Sequence, residues 1–331
     1  MTTTTYDDRH NGTAEIRIRG KSVLVPALKI DDTTVIVTGK VLRIASVKDE
    51  YFLGSRPVQD DPEGFIRRLR KRLKAHVFTF SQSLPDVEPR FPYAIDWDNV
   101  AAIRTHDFEA WWKSLPQETR KNVRRAEKRG IVVRSVEPDD NFVRGVTDIY
   151  NESPIRQGKP FYHYGKDFAT IKREVTTFAG SSEFIAAYRG EELVGFIKLI
   201  HTGPVANIMH IVSKLSHSDA RPTNALLAET VAICARKGIS YLIYGYYTYG
   251  RKTDDSLAEF KRRHAFEKIL IPTYYIPLTL TGRLIVGLKL HRGVIGILPP
   301  RLTSALLGIR ARALQAMWTA RRSDPLLPSD S

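Results

Sequence analysis

From residue 183 to residue 213 the chain writes three apolar runs, EFIAAY, LVGFIKLI and ANIMHIVS, joined by connections only a few residues long. Such connections cannot hold the helical crossover that a parallel pair requires, so the runs read as consecutive antiparallel strands. Everything else has to be compatible with that sheet. Residues 224–237 follow as a helix with Leu226, Leu227, Thr230, Ile233 and Cys234 along one side and Gly238 closing it. ISYLIYGYY then reads as a buried strand, residues 256–264 as a short helix carrying Lys261 and Arg262, and ILIPTYYIPL as a late strand or pair of strands. Three strands, helix, strand, helix, strand predicts an α/β (α+β) protein, a mixed and mostly antiparallel sheet with helices packed on it.

Upstream, residues 16–30 and 35–47 read as strands around the turn signal DDTT. IRRLRKRLK at 66–74 has helical spacing of Ile66, Leu69 and Leu73, and carries six basic residues and no acid. It is either a solvated helix face or an anion-binding stripe. Residues 85–98, rich in proline and aromatics, read as an ordered connection, residues 108–129 as a helical stretch carrying Trp111 and Trp112, and IVVRSV as a strand. Residues 113–134 hold eight Lys and Arg against two Glu. Cations in a last helical turn are favoured by the macrodipole, so part of this clustering needs no function.

Residues 147–168, TDIYNESPIRQGKPFYHYGKDF, have neither helical nor strand periodicity, and Pro154, Gly158, Pro160 and Gly165 break them every few positions. They read as a structured loop. Tyr150, Asn151, Glu152, Arg156, Gln157, His163, Tyr164 and Lys166 are its candidates for lining a pocket and orienting a polar substrate. The competing reading is an ordered loop whose aromatics plug the core.

The formal net charge of +15 and a pI near 9.8 favour anionic partners: nucleic acid, nucleotide phosphates or acidic lipid. A single cysteine, Cys234, excludes an intramolecular disulfide framework and a multi-cysteine zinc site. His201, His210 and His217 have no zinc-motif spacing, so no metal is expected, and no Gly-x-Ser-x-Gly elbow is present. The polar N-terminus lacks the basic and then apolar regions of a secretory signal, and the apolar stretch 284–298 is short and interrupted by Lys289, His291 and Arg292. The expectation is a cytoplasmic protein, not integral to a membrane. Residues 268–323 contain nine basic and no acidic side chains, with Leu302, Leu306, Ile309, Ala313 and Met317 on one helical face. That segment either packs on the domain or lies at the anionic inner face of the membrane.

Several stretches together resemble the GNAT acyltransferases, and within them the Fem-type, or BioF2-like, branch. They are RKNVRRAEKRG, YNESPIRQGKPFYHYGKDF, FIAAYRGEELVGFIKLI, NALLAETVAICARKGISYLIYGYY and SLAEFKRRHAFEKILIPTYYIPLT, and the resemblance spans about residues 100–295. It implies a GNAT-like sheet and transfer of an acyl or aminoacyl group to an amine. Because Fem-type proteins repeat the GNAT-like unit, the strands before residue 100 are expected to be a degenerate first copy. The implied divisions are a disordered 1–14, a β-rich unit at 15–107, the acyltransferase domain at 108–280, a basic amphipathic segment at 281–322 and a tail at 323–331.

Most GNAT enzymes use acyl-CoA, here taken as acetyl-CoA, whereas Fem-type enzymes use aminoacyl-tRNA. The GNAT pattern that holds the CoA pyrophosphate falls on Arg221, Thr223, Asn224 and Ala225, but its two small positions are filled by Asn224 and Leu226. A Phe-Lys pair beside the reacting carbonyl in Fem-type enzymes corresponds to Phe260 and Lys261, where a fixed cation suits a developing oxyanion. Glu152 or His163 is the candidate base for the attacking amine. The expected function is N-acyl transfer from a CoA thioester to an amine on a sugar, nucleotide-sugar or peptide, without a covalent enzyme intermediate. The alternatives are a Fem-type transferase using aminoacyl-tRNA, with tRNA as a partner, and a non-catalytic protein of the same fold that binds anionic ligands.

Overall fold

The computed structural model describes residues 12–18, 21–248 and 256–292. The first strands are β1 (Gly12–Ile18), β2 (Lys21–Ile30), β3 (Thr33–Thr38) and β4 (Ile44–Val47), followed by the helices α1 (Glu50–Leu53), α2 (Arg56–Asp60) and α3 (Pro62–Arg72) and by β5 (Val77–Ser81). Next come β6 (Ala94–Arg104), α4 (Phe108–Ser114), α5 (Gln117–Lys128), β7 (Ile131–Val136) and α6 (Asp140–Asn151). A two-residue pair, β8 (Ile155–Arg156) and β9 (Lys159–Pro160), leads to α7 (Phe168–Val175). The last part comprises β10 (Ser182–Arg189), β11 (Glu192–Thr202), β12 (Val205–Ser213), α8 (Pro222–Arg236), β13 (Tyr241–Ile243), α9 (Ser256–Arg263), β14 (Glu267–Pro277) and α10 (Leu280–Gly287).

Twelve of these strands form one sheet in the order β1-β2-β3-β4-β5-β14-β6-β13-β12-β11-β10-β7. One arrangement occurs twice in it. In the first half β4 pairs in parallel with β5 after the crossover through α3, and in the second β12 pairs in parallel with β13 after the crossover through α8. Each parallel pair ends a run of antiparallel strands, β1 to β4 in one half and β7 with β10 to β12 in the other. Between the halves β14 bonds to both β5 and β6, so the last long strand joins them into a continuous sheet.

The core follows strand alternation. Ala206 and Ile208 of β12 point to the face covered by α4, α5 and α8, while Val205 and Asn207 point to the other. α8 is apolar almost all round, burying Leu226, Leu227, Val231 and Cys234 among others, because it lies between the sheet and α5. Truncating one such leucine costs about 2 to 5 kcal/mol. The opposite face carries α6, α7 and α1.

Several expectations are corrected. The segment 85–98 is not only a connection: β6 begins at Ala94 and runs between β14 and β13, its first half hidden from pattern reading by Asp96, Asp98 and Asn99. The helical stretch 108–129 is broken at Leu115 and Pro116 into α4 and α5. The loop 147–168 starts inside α6, holds the β8–β9 pair, and ends where Asp167 caps α7 through the Thr170 amide. ISYLIYGYY is a strand for three residues only, since Gly245 takes φ 63 and turns the chain. Leu302, Leu306, Ile309, Ala313 and Met317 lie outside the described residues.

Candidate active site

The parallel ladder between β12 and β13 is short. It pairs residues 205–207 with residues 241–243, whereas β12 continues along β11 to Ser213. Past Ile243 the chain leans instead on β6: the Tyr244 amide donates to the Ala101 carbonyl, the Ala101 amide to the Gly245 carbonyl, and the Thr248 amide to Asn99 Oδ1 at 2.8 Å. The two strands therefore open into a V at Asn207 and Ile243. Among the described residues, β12 beyond Asn207 has no strand partner on that side, so its backbone groups there face a gap.

The start of α8 meets the end of α9. Asn224 Nδ2 lies 3.0 Å from His264 Nε2, and His264 Nδ1 lies 2.8 Å from the Phe260 carbonyl. A carbonyl only accepts, so Nδ1 carries the proton and Nε2 accepts from Asn224; burial lowers the His264 pKa and keeps the ring neutral. Phe260 lies against the same ring at 4.1 Å, tilted by 37°. The neighbouring Lys261 is 0% exposed and donates from Nζ to the Tyr246 carbonyl at 2.6 Å, with the Tyr244 ring at 5.1 Å. His264 thus links two residues expected on separate grounds, Asn224 and Phe260, and Lys261 follows Phe260 on the same helix.

The start of α8 differs from a phosphate cradle. Arg221 takes a left-handed φ of 59 as the N-cap residue and supplies no side-chain cap. Pro222 removes one amide donor, the Asn224 amide is bonded to the Arg221 carbonyl, Thr223 Oγ1 lies 2.9 Å from Ser213 Oγ, and Ala225 is buried. The side chain of Arg221 is exposed.

The segment 147–168 divides its candidates between two places. Arg156 donates to the carbonyls of Ser213 and Ile149, both at 2.6 Å, and pairs with Glu152 at 3.3 Å. Glu152 accepts from the Leu215 and Ser216 amides and from Ser216 Oγ. Burial pushes the Glu152 pKa up, but these donors and Arg156 outweigh it and the net shift is downward. Glu152 and Arg156 so clamp the segment to the end of β12, and Gln157, at a left-handed φ of 50, reaches Ser256 at the start of α9. The rest gathers elsewhere: His163 stacks on Tyr150 at 4.2 Å, its Nδ1 sits 3.0 Å from Lys166 Nζ, and Lys166 bonds to Glu174. Asn151 holds the turn through the Gly165 amide and the Lys166 carbonyl, while Tyr164 is exposed.

Below the V, on the face away from α8, lies a cavity of about 90 Å³. Its floor is Leu84, Val100, Val205, Ile243 and Ile271, and α1 covers it, held by Thr202 Oγ1 donating to the Phe52 carbonyl at 2.6 Å. Glu50, Asp98, Asn207 and Tyr246 supply polar groups to its wall. Burial raises the Glu50 pKa to about 7 against the Ser81 amide and Ser55 hydroxyl, which lower it, and burial also raises that of Asp98. Sequence reasoning missed these residues. The available signals were weak: acids around a tryptophan in IDWDN, and one amide in the apolar run VANIM. No group of three or more His, Cys, Asp or Glu able to hold a metal occurs among the described residues, and no helix there is long and apolar enough to cross a membrane.

No known family profile matches the chain, and no curated protein sequence does either. Solved structures do. The C-terminal domain (DUF2156) of a putative lysylphosphatidylglycerol synthetase from Agrobacterium fabrum is 12% identical, with a TM-score of 0.51 over 80% of this chain and 87% of that one. FemX is 11% identical, with a TM-score of 0.54 over 83% and 90%. The fold is GNAT-like. At such identities the likeness is one of architecture, and the chemistry has to come from the residues described above.

Proposed function

We propose that the protein is an acyltransferase that holds an acyl or aminoacyl carbonyl in the gap between β12 and β13, where an acceptor amine attacks it directly. The observation that carries this reading is the opening of the parallel pair at Asn207 and Ile243 with Lys261 buried beside it on Tyr246. In the reaction the amine nitrogen forms a bond to the carbonyl carbon while the π pair moves to oxygen. A fixed ammonium close to that oxygen stabilises the developing charge in a water-poor site. Collapse expels the donor's sulfur or oxygen, which takes a proton, and the amine's surplus proton leaves through a base. A covalent enzyme intermediate is disfavoured, because burial pushes the Cys234 thiol up to about 12.

A CoA thioester, acetyl-CoA in the simplest case, is the donor that the fold's usual pattern implies, with the acceptor amine on a sugar, nucleotide-sugar or peptide. One observation favours the second reading, an aminoacyl-tRNA donor: at the start of α8 Pro222 has no amide to give, and the Asn224 amide and the side chains of Thr223 and Asn224 are engaged within the protein, which leaves Arg221 as the exposed group. The exposed basic side chains of α3 and α5 would then meet tRNA phosphates, giving strong salt dependence. The synthetase named above is titled for a lipid product, and the basic end of the chain suits peripheral contact with an anionic membrane on its cytoplasmic side.

The test is a donor-consumption assay. The full chain is incubated with radiolabelled acetyl-CoA or with radiolabelled aminoacyl-tRNA in the presence of amines, and label is followed from donor to amide. Transfer from either donor, slowed on the order of 100- to 1000-fold by Lys261→Met, is the expected result. Binding of tRNA or CoA with no transfer to any amine would favour a non-catalytic anionic-ligand binder.

A further inference from the structure

The protein carries a net charge of +15, yet none of the residues lining the cavity beneath the V is a lysine or arginine. It brings in two carboxylates instead, Glu50 from α1 and Asp98 from β6. A third acceptor is available. Asn207 is 3% exposed, lines the cavity, and its Oδ1 has no hydrogen-bond partner, a costly state for a buried polar atom unless a ligand donor completes it. Three acceptors with no cation, above an apolar floor of Leu84, Val100 and Ile271, match a primary ammonium on an apolar stem: three N–H donors, one positive charge and a hydrocarbon surface.

The position of the cavity gives this match a purpose. Asn207 and Ile243 are the last paired residues of β12 and β13, and both line the cavity, so its upper end is the apex of the V. We infer that this cavity is the acceptor site, that it takes a primary alkylammonium group, and that Glu50 receives the proton the nitrogen must lose before it attacks. The inference rests on the acyl-transfer reading for its last step only. Protonated amine plus Glu50 carboxylate gives neutral amine plus Glu50 carboxylic acid, and the amine lone pair then forms the bond to the carbonyl carbon. A carboxyl titrating near neutrality is suited to that exchange.

The experiment uses ligand-observed NMR titration of the full chain without donor, with hexylamine, hexanol and hexanoate as probes of equal length and different charge. Hexylamine is expected to bind, hexanol at least tenfold more weakly, and hexanoate not at all. Glu50→Gln and Asp98→Asn should each weaken hexylamine by roughly tenfold to a hundredfold, as for loss of a charged hydrogen-bond partner, with melting temperature as the check on folding. Equal binding of hexanol and hexylamine, or hexylamine affinity unchanged in both folded variants, overturns the inference. If hexylamine does not bind while label still moves from donor to another acceptor, the acceptor-site assignment falls and the transferase reading stands. If hexylamine binds with the stated selectivity while no donor is consumed, the ammonium site stands and the transferase reading falls.

Discussion

Lys261 is the residue on which the chemistry depends, and its burial determines how it has to be tested. Lys261→Met removes the cation and its hydrogen bond to the Tyr246 carbonyl, so about 1 to 3 kcal/mol of stability goes with it. Assayed well below the melting temperature, the variant should lose turnover by a factor on the order of 100 to 1000 while donor affinity stays near wild type. Unchanged turnover would remove Lys261 from the mechanism. Arg156 behaves differently, because its guanidinium braces the Ser213 and Ile149 carbonyls. Arg156→Ala should lower the melting temperature, at about 1.5 to 3 kcal/mol per charged hydrogen bond lost; a thermal melt that matches wild type would show the brace to be dispensable. Glu50 gives a pH signature. Its folded pKa is raised from 4.5 to about 7, so between those values the folded state holds the proton more tightly than the unfolded state, and stability falls as pH rises through the window. Glu50→Gln keeps an acceptor for the Ser81 amide and removes the titration. Denaturant melts should therefore show the variant gaining on wild type from pH 5 to pH 8, and a constant difference would contradict the raised pKa.

At the scale of elements, α10 has an unusual surface. Gly282 packs so closely on the His76 carbonyl that a Cβ there would sit 1.9 Å from the oxygen, which fixes the helix to the protein by one side. On the other side Leu280, Leu284 and Leu288 are 78%, 60% and 57% exposed, with Arg283, Lys289 and Arg292 exposed around them. This stripe lies within the acid-free stretch 268–323, and it suits insertion into an anionic lipid surface. Leu284→Ser with Leu288→Ser should reduce sedimentation with acidic vesicles at low salt and leave the melting temperature nearly unchanged. Equal sedimentation of variant and wild type would exclude the stripe as the contact. The elements of residues 182–236 were legible because strand alternation, short turns and a helix closed by Gly238 all agree. β6 was not, since its partly buried first half mixes acids with a tryptophan and only residues 100–103 are fully buried. The V was illegible in ISYLIYGYY for a different reason: Gly245 is the one breaker in the run, and pairing with β12 already stops at Ile243 before it.

For the molecule as a whole, β14 is the element that joins the two halves. Tyr274 and Ile276 from that strand complete the core of β2 to β5, together with Phe78 and Phe80. Residues 1–107 expressed alone should therefore lack a cooperative unfolding transition, whereas the full chain should show one; a sharp melt for the fragment would make the first half independent. The doubled arrangement was expected from resemblance, yet the cavity was not, because α1, β6, β12 and β13 come together there from distant parts of the sequence. The central claim is that donor carbonyls occupy the V, and hydrogen exchange on the full chain with and without saturating donor tests it most directly. Occupancy of the gap predicts slowed exchange for amides of residues 208–213 and 244–248, which border it. Slowing confined to α3 and α5, with those two stretches unchanged, would contradict the account.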